Sequence, residues 1–189
     1  MNRFHQCVLI GSTILGSWLG MQAVHELGHV VGAVLTGGRV ERVVLSPLTI
    51  SRTDVAHSPH PLAVVWAGPI VGVVLPLAFW GVAAAFHARG AYMLRFFAGF
   101  CLVANGIYIG MGSFERIGDC GEMLRSGSAL WHLWLFGLAT VPLGFWLWHR
   151  QGVHFGLRPA RKPVDLVVAY VTFAVFIALL VLGFAVGGE

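Results

Sequence analysis

Charge is scarce in this sequence. Of its 189 residues only 11% are Asp, Glu, Lys or Arg, where a water-soluble domain carries about a quarter. Cysteine is scarce as well. Cys7, Cys101 and Cys120 stand far apart and form no CxxC pair, which argues against a disulfide framework. Basic residues are not gathered into a stripe, so nucleic-acid binding is excluded as a reading. The chain also lacks internal repeats, low-complexity tracts and any polar stretch long enough to form a separate soluble domain.

What fills the chain instead is apolar. Hydrophobic residues make up 57% of it, and the mean hydropathy is +0.80. A fold of this size leaves much of its surface exposed, so such a composition needs lipid around it. Five segments reach the roughly 20 residues that a transmembrane helix requires: residues 8–36, 62–86, 91–113, 128–148 and 165–187. The expected fold is an all-α polytopic membrane protein, read as one membrane domain over residues 1–189. Residues 8–126 would form a three-helix core, and 127–189 would add two further helices. The first apolar run follows Arg3 and continues into His25 and Glu26 with no small-residue cleavage pattern ahead of them. It reads as a retained helix, not a signal peptide.

The connections carry the polar residues. Between Gly37 and Pro61, the segment Arg39-Val40-Glu41-Arg42-Val43-Val44-Leu45 mixes β-branched residues with charges, Ser46-Pro47 interrupts, and Leu48-Thr49-Ile50-Ser51 follows. This predicts two short strands around a turn. An open sheet edge cannot face lipid, so the hairpin is expected at the interface or against the helices. The last large connection holds Arg150, Arg158, Arg161 and Lys162. Glycine pairs four apart, at Gly16/Gly20, Gly28/Gly32, Gly68/Gly72 and Gly106/Gly110, are expected to let helix backbones approach closely. Trp131, Trp134, Trp146 and Trp148 bracket the fourth segment, as interface anchors do.

One motif carries chemistry. His25-Glu26-Leu27-Gly28-His29 reads HExxH inside the first apolar span. On a helix, residues i and i+4 share a face, so His25 and His29 can hold one metal ion together. Glu26 sits beside that face, where it can act as general acid and base on a water that zinc has acidified. Chance supplies this pattern in roughly one chain in a hundred of this composition. Its position strengthens it, because ionisable groups are costly within a membrane and usually functional there.

A catalytic zinc site commonly takes three protein ligands, so a third must come from another helix. The stretch Gly110–Glu122 ends the third segment, on the same membrane side as the histidines if all three spans cross. Its four glycines allow a broken or re-entrant backbone. Asp119 is the favoured ligand within it, with Glu115 and Glu122 as alternatives. His57, His60 and Asp54 in the first loop read as solvated residues. His87, His132, His149 and His154 read as polar tips near helix ends.

These residues resemble the site-2 protease family of intramembrane zinc metallopeptidases. The likeness rests on His25-Glu26-Leu27-Gly28-His29 in a hydrophobic helix, on Gly37-Gly38-Arg39-Val40 after it, on Ala67-Gly68-Pro69 in the next helix, and on Asp119 two helices after the histidines. It covers about residues 15–125. The resemblance implies zinc held by His25, His29 and Asp119, with Glu26 as acid and base. It implies hydrolysis of peptide bonds in or beside the transmembrane segment of a membrane-anchored substrate, in a multi-pass protein of a bacterial-type cell membrane. The family's Asn-Pro…Asp-Gly element is altered here: Asn105 lies well before Asp119, no proline intervenes, and Cys120 follows the aspartate. Asn105 is a candidate substrate-binding residue, with an interhelical hydrogen bond as the stronger expectation. Two other functions remain open: an inactive family member with a binding or regulatory role, and a metal-binding transporter.

Overall fold

The computed structural model describes residues 3–157 and 164–187. Arg158, Arg161 and Lys162 of the last connection lie outside the described residues. Among the described residues, six α-helices and one hairpin follow in order: α1 (Arg3–Leu35), β1 (Arg39–Val44), β2 (Arg52–His57), α2 (Pro61–Ala85), α3 (Ala91–Glu115), α4 (Gly118–Arg125), α5 (Leu130–Trp148) and α6 (Leu166–Gly187). A 3-10 turn at Gln151–Val153 follows α5. Five of the helices are long and apolar enough to cross a membrane, which fits an integral multi-pass membrane protein.

Helix α1 is the hub. It packs against α2 and α6, and it also meets α3; α2 packs on α3, and α3 on α5. The glycine pairs sit at these seams. A Cβ on Gly28 would collide with the Ala67 carbonyl, and one on Gly32 would come within 2.6 Å of the Ala67 side chain. Gly106 faces Thr140, and Gly110 faces Gly137 across the α3–α5 seam. Small residues therefore let α1 lie close on α2, and α3 close on α5. Trp148 is not only an interface residue, since its indole N–H donates to the Phe96 carbonyl at 3.0 Å and its ring covers Gly99.

Helix α1 begins earlier than the apolar run. Arg3 to Gln6 are helical, and at 33 residues the helix is about 50 Å long. The polar start is held by Gln6, which donates to the Phe155 carbonyl at 2.8 Å.

The hairpin differs from expectation in its second strand. Pro47–Thr49 is bend, and Ile50 and Ser51 are irregular; the strand is Arg52–His57, paired antiparallel with β1 through Arg42↔Asp54 and Val43↔Thr53. The cause is Pro47, which cannot donate to a ladder and instead seats on Gly183 of α6. Thr53 and Val55 supply the β-branched residues that suit a pleated, half-buried surface. The hairpin lies against the helices. It folds back along α1, and the backbone N–H of Ser51 donates to Gln22 Oε1 at 2.7 Å.

Candidate metal centre

Helix α1 places the side chains of His25, Glu26 and His29 on the inner part of its length, where all three are buried. Helix α3 ends at Glu115. Arg116 and Gly118 take left-handed conformations, and α4 then starts at Gly118. This reversal brings Asp119, in the first turn of α4, back over α1. A carboxylate is favoured there, because the helix N-terminus carries partial positive charge. Glycine is required at 118 for two reasons: φ is +54°, and a Cβ would run into the Tyr108 hydroxyl. That hydroxyl accepts the Asp119 backbone N–H at 3.2 Å.

The site is built from atoms that converge. His25 Nε2 lies 2.8 Å from Asp119 Oδ2, and His29 Nε2 lies 3.3 Å from the same oxygen. The two Nε2 atoms are 3.0 Å apart. The other ring nitrogens are committed elsewhere. His25 Nδ1 is 2.6 Å from Asn105 Oδ1, and His29 Nδ1 is 3.0 Å from the Val64 carbonyl. Both partners only accept, so each Nδ1 carries the proton and each Nε2 presents its lone pair inward. Two such lone pairs and a carboxylate at this distance repel one another unless a cation lies among them.

The donor set fits a zinc ion. Imidazole nitrogens whose second N–H is fixed by a carbonyl are the usual zinc ligands. Ligands about 2.0–2.2 Å from one ion in a tetrahedron lie roughly 3.3–3.6 Å apart; the three atoms here stand 2.8, 3.0 and 3.3 Å apart, so an ion among them would spread them by a few tenths of an ångström. Among the described residues, His25, His29 and Asp119 are the one group of this kind. The alternatives lie elsewhere: Glu115 is exposed at the end of α3, and Glu122 pairs with Arg125 at 2.7 Å. Cys120, despite its place beside Asp119, turns away. Its thiol donates to the Tyr108 carbonyl at 3.3 Å, and burial pushes its pKa up to about 11.

Glu26 is buried beside the cluster, and its carboxylate accepts the Thr53 hydroxyl at 2.7 Å. Asn105 is 1% exposed and bonds across helices to His25, and within its own helix to the Cys101 carbonyl at 2.9 Å. The structure thus gives Asn105 an orienting contact to His25, in line with the interhelical bond expected of it. Gly68 of Ala67-Gly68-Pro69 lies flat under the His29 ring, which any Cβ there would strike. Sequence reasoning missed Thr53, Tyr108 and Val64, because nothing in their local sequence marks them.

A cavity of about 960 Å³ opens onto the cluster. Trp18, Met21, Ile50, Val64 and Ile107 line it with apolar surface; Glu26, Asn105, Thr53 and Asp119 supply polar groups. Comparison of the chain with protein-family models, curated proteins and solved structures finds no match.

Proposed function

We propose that this chain is an intramembrane zinc metalloprotease of site-2 type in a bacterial-type cell membrane, cleaving peptide bonds in or next to the transmembrane segment of a membrane-anchored protein. One observation carries the reading. Three metal-ligating atoms converge on one point of a cavity within a bundle of apolar helices, and an unligated glutamate stands beside them. His25 and His29 would hold zinc through Nε2, and Asp119 through Oδ2. A zinc ion there supplies Lewis acidity, which polarises a carbonyl and makes hydroxide available near neutral pH.

The chain's own residues do the rest. Glu26 takes a proton from the attacking water and delivers it to the amine nitrogen as the C–N bond breaks. Water oxygen ends on the new carboxylate. Asn105 and the Val64 carbonyl fix the two imidazole rings, so the ligands need no rearrangement. The cavity's apolar walls suit a lipid-facing segment, and its volume lies in the range of ligand sites.

Zinc content per chain of the purified protein tests the reading. About one zinc is expected in the wild type, with loss in His25→Ala, His29→Ala and Asp119→Ala. Glu26→Gln is expected to keep the metal and lose at least a hundredfold in turnover. A wild type that takes up no zinc when supplied with it would sink the mechanism.

A further inference from the structure

We infer that Thr53, on the hairpin, is a positioning residue for Glu26, so that the seating of a β-strand sets the alignment of the catalytic base. The inference rests on the protease reading and goes beyond it, because nothing in the HExxH pattern involves the hairpin.

The carboxylate of Glu26 has two oxygens. Oε2 is held by the Thr53 hydroxyl at 2.7 Å. Among the described residues this is the one hydrogen bond to the Glu26 side chain, and the residue is only 5% exposed. A buried carboxylate with a single partner has its rotamer decided by that partner. Anchoring one oxygen leaves Oε1, which has no hydrogen bond among the described residues, to carry a proton. A hydroxyl suits this role, since it donates to the charged form and adds no charge to the site.

The register supports the assignment. Gln22 and Glu26 are one helical turn apart on the same face of α1, about 6 Å along the axis. Ser51 and Thr53 are two residues apart along the hairpin, roughly 6.6 Å. The two spacings match, and both rungs form: the Ser51 N–H on Gln22 Oε1 at 2.7 Å and Thr53 on Glu26. A slip of one residue would turn Thr53 to the opposite face of the strand. The β1–β2 pairing fixes the register from the other side, with Val43 opposite Thr53. Glu26 is therefore aligned by a strand which itself is clamped at two points.

The test uses the full chain in lipid nanodiscs and a single-span membrane peptide with a glycine pair in its span. Thr53→Val keeps the shape and removes the hydroxyl; Thr53→Ser restores it. Hairpin seating is read separately, as the alkylation rate of Thr49→Cys in a Cys7→Ser background. Thr53→Val is expected to lower kcat about ten- to a hundredfold, with KM, zinc content and alkylation unchanged, and Thr53→Ser is expected to recover most of it. Undiminished kcat in Thr53→Val overturns the inference. So does a loss that comes with altered zinc content or faster alkylation, or one that serine fails to rescue. A wild type that binds zinc and cuts no membrane peptide overturns the protease reading itself, and the inference with it.

Discussion

His25 divides its two nitrogens between different partners, and this division is open to test. Nδ1 is fixed by Asn105 at 2.6 Å, which leaves Nε2 aimed at Asp119. Replacing Asn105 by Leu is expected to weaken zinc affinity about ten- to a hundredfold, as measured by competition with a chromophoric chelator. Unchanged affinity would mean that packing alone orients the ring. Gly68 makes a steric counterpart. Gly68→Ala places a methyl against the His29 ring, and a loss of about 1–3 kcal/mol in stability is expected, together with loss of zinc. Gly72→Ala meets the Asn105 amide at 3.0 Å and should be the milder of the two in the same chelator assay. At this scale the sequence is readable where chemistry imposes a spacing. His25 and His29 share a face because a helix has 3.6 residues per turn. Thr53 and Tyr108 reach the site only through tertiary packing, so no local pattern could reveal them.

Among the elements, the hairpin shows why a second strand is hard to place from sequence. Leu48-Thr49-Ile50 looks β-prone, but Pro47 commits the turn to α6, and the pairing starts only at Arg52. Propensity within four residues loses to a contact made far along the chain. Pro47 sits 2.8 Å from where a Cβ on Gly183 would stand. Gly183→Leu should therefore unseat the turn. Faster alkylation of Thr49→Cys is the expected signal, and an unchanged rate would mean that α6 does not brace the hairpin. Helix α4 offers a chemical probe. Cys120 is fully buried, and its raised pKa keeps it a neutral thiol at ordinary pH. Since the thiolate is the reactive form, Cys120 should resist iodoacetamide in the folded protein at pH 8, while exposed Cys7 reacts. The glycines before Asp119 permit a broken backbone, and the chain uses them for a reversal between two helices, with Gly118 at its pivot.

For the molecule as a whole, successive crossings by the five membrane-length helices would put the α1–α2 and α3–α5 connections on one face and the α2–α3 connection on the other. Cysteines at Ser58 and Ser126 should label from the same side of sealed vesicles, and one at His87 from the opposite side. Labelling of Ser58 and Ser126 from different sides would mean that one helix does not span. The number and order of the long apolar helices were legible from hydropathy alone, since lipid forces every spanning backbone into helix. Which helices touch was less so, because apolar faces look alike, and only the glycine pairs marked the seams.

The bracing of the hairpin by α6 also has a consequence for how the protein is made. The turn at Pro47 leaves the ribosome long before Gly183 does. At about 5–20 residues per second, the interval is on the order of ten seconds. During it the first helix and its histidines are already synthesised, but the wall on which Pro47 rests does not yet exist. The strand that reaches Glu26 is thus among the first elements synthesised and among the last to be secured, and a nascent chain carries His25 and His29 well before the helix that braces the hairpin.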